Sequence, residues 1–68
     1  MKWFKKKWPK RYEIRVYSGS CLLLGEARCI VSSKRQLKEN IEVFFLETVR
    51  FYPGEDKDDC FWFCEEVE

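Results

Sequence analysis

Residues 12–17, Tyr12-Glu13-Ile14-Arg15-Val16-Tyr17, alternate strictly, with Tyr12, Ile14 and Val16 on one side of an extended chain and Glu13, Arg15 and Tyr17 on the other. A period of two with an apolar and a polar side describes a half-buried strand. Ser18-Gly19-Ser20 follows with turn chemistry, and residues 21–31 are again rich in Leu, Ile and Val, so the pair reads as a β-hairpin. Gly25-Glu26 in the middle of the second run marks either a bulge in one long strand or a turn between two short ones.

Beyond the hairpin the period changes. Ser33 and Gln36 have the spacing of a capping box, with Ser33 as N-cap and Gln36 three residues on. From Leu37 the apolar positions Ile41, Phe44, Phe45 and Thr48 recur at helical spacing, and Phe51 and Tyr52 are expected to extend that stripe before Pro53-Gly54 closes the helix. Val43 and Leu46 lie off the stripe. Residues 60–64, Cys60-Phe61-Trp62-Phe63-Cys64, are too short for a helix and strongly aromatic, so they read as a strand. Both of its sides are apolar, as for a strand covered on both faces. The helix covers one face; the N-terminal arm, a second copy or a partner must cover the other.

The fold class that follows is α+β: one small ββαβ domain over residues 12–68, its antiparallel sheet covered by a single amphipathic helix on one face and its last strand set beside the first. Residues 1–11 are read as a separate arm. The arm is marked by charge, since Lys2, Lys5, Lys6, Lys7, Lys10 and Arg11 carry +6 with no acid before Glu13, whereas the rest of the chain holds 7 basic and 12 acidic groups.

A chain of 68 residues has room for one core and no large cleft, so no small-molecule substrate is expected. Catalysis is disfavoured by inventory. There is no histidine, the serines sit in turn and cap positions, and the three glycines form no phosphate-cradling loop. The four cysteines, Cys21, Cys29, Cys60 and Cys64, lack the two-residue knuckle of a zinc site, and no apolar signal segment follows the basic start. The expectation is buried free thiols, no metal and no cofactor, in a reducing cytoplasm.

In element order from about Tyr12 to Glu66 the chain resembles small bacteriophage-encoded proteins that bind and inhibit host factors, including short antitoxins. The resemblance rests on no diagnostic motif and implies no particular residues, only a protein-binding role.

Three surfaces are candidates for binding. Val43 and Leu46 are neighbours on a helix surface and are ringed by Glu39, Glu42, Glu47 and Arg50, an apolar centre with a polar rim. The acidic loop Glu55, Asp56, Asp58 and Asp59 suits a basic groove on another protein. The arm interleaves Trp3 and Trp8 with Lys2, Lys5, Lys6, Lys7, Lys10 and Arg11, a composition for phosphates and unpaired bases, for an acidic protein or, least favoured, for a membrane surface. The leading expectation is a protein-interaction module, an inhibitor or adaptor that also forms a homodimer. The alternative is a nucleic-acid binder that uses the arm.

Overall fold

The computed structural model describes residues 8–67. Strand β1 (Lys10–Tyr17) is central in a three-stranded antiparallel sheet of order β2-β1-β3, flanked by β2 (Leu23–Val31) and β3 (Phe61–Val67), with helix α1 (Lys34–Arg50) on one side. This is the ββαβ arrangement the alternation and capping signals describe. β1 starts at Lys10, so Lys10 and Arg11 belong to the sheet and not to an arm that ends at residue 11.

The hairpin closes around Ser18, which is fully buried. Its N–H donates to the Leu22 carbonyl at 2.9 Å, its carbonyl accepts from Cys21 N–H at 2.9 Å, and its hydroxyl accepts from Leu22 N–H at 3.2 Å. The left-handed residue in this turn is Cys21, at φ 68°, and neither Gly19 nor any other glycine. β2 is a single strand: the pairing shifts between Val16 and Tyr17, next to Gly25, which settles the bulge over a second turn.

The helix starts as its capping residues require. Ser33 Oγ accepts from Gln36 N–H at 3.1 Å, while Gln36 Oε1 accepts from Ser32 N–H at 2.6 Å, one residue earlier than the reciprocal bond of a standard capping box. Its end differs from expectation. Phe51 N–H bonds the Thr48 carbonyl at 3.1 Å, tightening the last turn, and the chain departs with Phe51 79% exposed and Tyr52 also exposed. These two side chains do not extend the buried stripe. Val49 takes part in their stead, buried with Ile41 and Thr48.

The buried apolar side chains are Ile14 and Val16 from β1, Leu24 and Val31 from β2, and Ile41 and Val49 from α1. β3 contributes none. The helix lies closer to β2 than to β1 or β3. Gly25 allows this: a Cβ there would sit 2.9 Å from Thr48 Cγ2 and 3.3 Å from Phe44 Cζ, so its bare backbone is what lets the helix settle on β2. Trp62, on the helix side, is consequently about half exposed; Phe61 and Phe63, on the side away from α1, are about half exposed as well, so the described residues fully cover neither face of β3, against the expectation of a strand covered on both.

Candidate protein-binding face

The side of the sheet away from α1 carries no second layer among the described residues. Strand register arranges it in four rows. Leu23, Tyr17 and Phe61 form the first, Glu26, Arg15 and Phe63 the second, Arg28, Glu13 and Glu65 the third, and Ile30, Arg11 and Val67 the fourth. In the first row the Tyr17 and Phe61 rings stack with centroids 5.3 Å apart and 19° between planes. With Leu23 47%, Phe61 43% and Phe63 53% exposed, this end of the sheet presents one contiguous apolar patch, and Leu22 stands exposed in the adjoining turn.

The middle rows are charged but self-contained. Arg15 Nη2 donates to Glu13 Oε1 at 2.7 Å and its Nε lies 3.4 Å from Glu26 Oε2, while Arg28 Nε reaches Glu13 Oε2 at 3.4 Å. Glu13 is thereby buried on what the alternation makes the polar side. With the neighbouring Glu26 taking up the proton of the pair, and with the charges of Arg15 and Arg28 beside it, the Glu13 carboxyl is held below the ordinary range against the opposing effect of burial. Glu13 in turn raises the already high pKa of Arg15. The four rows contain Arg11, Arg15 and Arg28 against Glu13, Glu26 and Glu65, a balance of zero. A face that neutralises its own arginines has little to offer a phosphate backbone.

The surfaces read from sequence are only partly brought together. Val43 and Leu46 are exposed, and with Glu47, Val49, Arg50 and Lys57 they line a shallow depression in which Glu47 and Arg50 pair at 3.8 Å. Glu42 lies elsewhere, in a hollow between α1 and β3 lined by Lys38, Ile41, Phe45 and Trp62, and Glu39 lines neither. The acidic loop is partly occupied with its own folding: Asp56 Oδ1 accepts from Asp58 N–H at 3.0 Å and caps the 3₁₀ turn Lys57–Asp59. Asp59 also packs against the hairpin turn, where a Cβ on Gly19 would lie 3.0 Å from its own Cβ.

Of the basic segment, Lys2, Trp3, Lys5, Lys6 and Lys7 lie outside the described residues. Trp8 is half-buried and tilted against Tyr12 at 6.5 Å between centroids, with Lys10 Nζ 4.8 Å from its ring centre, so part of its surface is already engaged.

All four cysteines are free, but the expectation of buried thiols fails, since Cys21 is exposed and Cys29, Cys60 and Cys64 are half-buried. Burial first, and nearby acids for Cys60 and Cys64, raise three of these thiols above their usual pKa and keep them protonated near neutral pH. Among the described residues no three Cys, Asp or Glu side chains come together as a metal-holding group. No described helix is long and apolar enough to cross a membrane. The chain matches no family model, no curated protein and no solved structure with which it was compared.

Sequence reasoning missed the outer face as a unit. Ile30, 64% exposed in its fourth row, reads in sequence as one more core position of an apolar strand. The signal that locates it is parity: paired with Arg11 in the hairpin register, it must point the way Glu13 and Arg15 point.

Proposed function

We propose that this protein acts by binding another protein, as an inhibitor or adaptor and not as an enzyme, through the open face of its sheet. The observation that carries this reading is the uncovered row Leu23, Tyr17 and Phe61 with Phe63 beside it, bordered by the Glu26, Arg15, Glu13 and Arg28 network. Rigid aromatic anchors on a strand scaffold, edged by satisfied polar groups, are the composition of binding hot spots. The zero charge balance of the face favours a protein over a nucleic acid. Free thiols suit a reducing cytoplasm, which we take as its place of action.

The test compares wild type with Phe63→Asp. Phe63 is about half exposed and outside the core, so the variant should keep its melt while losing a protein that the wild type retains from a cell lysate. Titration with labelled single-stranded DNA and RNA at low and high salt accompanies it. Tight, salt-sensitive binding that survives Phe63→Asp, with capture of protein unchanged, refutes the reading in favour of a nucleic-acid binder.

A further inference from the structure

The two edges of the sheet are not equivalent. β2 is an edge with a register shift, a glycine and alternating charge, devices that discourage a further strand. β3 has none of them. Its seven residues, Phe-Trp-Phe-Cys-Glu-Glu-Val, contain no proline, lysine or glycine, pair with β1 without a shift, and have no neighbour on the other side among the described residues. Such an edge is a template for strand addition.

We infer that the added strand is β3 of a second copy, antiparallel and centred on Cys64, giving a two-fold dimer with a continuous six-stranded sheet. Charge and length select both the occupant and the register. Centred on Cys64, all seven residues pair, Phe61 faces the second copy's Val67, Trp62 faces its Glu66 and Phe63 faces its Glu65. No acid then lies directly opposite an acid, whereas a register centred on Glu65 or Glu66 sets two carboxylates face to face. The helix side supplies a cation for the incoming acid. Trp62 lines its hollow together with Lys38 and Glu42, so the second copy's Glu66, opposite Trp62, arrives in a hollow whose one cation among the described residues is Lys38, and two-fold symmetry makes the contact twice. Neither Lys38 nor Glu66 has an ion-pair partner within the described residues.

The edge also carries apolar surface for the contact: Phe61, Trp62 and Phe63, each about half exposed, hold roughly 100 Å² apiece, and pairing covers the flank of each that is turned to the second copy while the outward surfaces of Phe61 and Phe63 stay open.

The test is sedimentation of the full chain under reducing conditions from about 1 to 300 μM. A monomer–dimer equilibrium is expected. Lys38→Glu and Glu66→Lys should each weaken it about tenfold or more, and the double exchange should restore it. Both residues are exposed on the helix side of the sheet, so neither change touches the core or the outer face, and protein capture by these two charge variants reads the proposed function apart from the dimer. A variant retaining Cys64 alone, with Cys21, Cys29 and Cys60 changed to Ser, should cross-link to a covalent dimer under mild oxidation. A monomer throughout the range, or a dimer indifferent to both charge reversals and not cross-linked through Cys64, overturns the inference.

Discussion

Gly25→Ala tests the placement of the helix from which the exposure of Trp62 on β3 follows. The added methyl would lie 2.9 Å from Thr48 Cγ2, 3.1 Å from Thr48 Oγ1 and 3.3 Å from Phe44 Cζ. Thr48 is β-branched and buried, so it cannot swing aside without displacing its neighbours. Overpacking of this kind costs about 1–3 kcal/mol, and alanine returns roughly 0.4–1 kcal/mol by restricting the unfolded chain. The net loss, about 1–2 kcal/mol, corresponds to a fall in Tm of roughly 5–15 °C for a domain of this size. The assay is thermal and urea unfolding of wild type, Gly25→Ala, Thr48→Ser and the double variant. Because serine removes the Cγ2 methyl, the double variant should recover at least about 0.5 kcal/mol relative to the sum of the singles. An unchanged or higher Tm for Gly25→Ala, with no coupling to Thr48, would mean that the helix does not rest on this glycine and that the exposure of Trp62 has another cause.

Cys21→Gly relieves a left-handed backbone at φ 68° and should stabilise the domain by up to about 1 kcal/mol; a loss in urea unfolding would show that the thiol makes a contact outweighing the strain. Because the folded pKa of Glu13 is depressed, its contribution is present above the unfolded carboxylate range, near 4.3, and is lost as pH falls from there through the lower folded value. Glu13→Gln should therefore flatten the acid limb of a Tm-against-pH curve, and an equally steep limb would remove Glu13 as its source. Leu46→Asp should shift stability by no more than about 0.5 kcal/mol, since the side chain is 41% exposed, whereas a loss of several kcal/mol would place it in the core.

Much of the fold is legible because its signals are local. Alternation over residues 12–17 locates the central strand, Ser33 and Gln36 locate the helix start, and the aromatic run at 61–63 locates the last strand. What resists reading is lateral placement. Phe51 and Tyr52 have the right angular positions for the buried stripe, but the tightened turn at Thr48 carries the chain away from the sheet. The helix is expected over the inner side of β3 at Trp62, whereas it sits closer to β2, drawn there by a gap at Gly25 that sequence presents only as a strand irregularity. The exposure of Val43 and Leu46 follows from helical period alone. The apolar end of the outer face does not, because it joins Leu23, Tyr17, Phe61 and Phe63 from three strands whose register must first be known.

The most direct test of the central claim is hydroxyl-radical footprinting of the chain alone and bound to the protein it captures. Binding through the open sheet face predicts loss of side-chain oxidation at Leu23, Tyr17, Phe61 and Phe63, with Val43 and Leu46 unchanged. Protection confined to Val43 and Leu46, with the four sheet side chains as reactive as in the free chain, would contradict it.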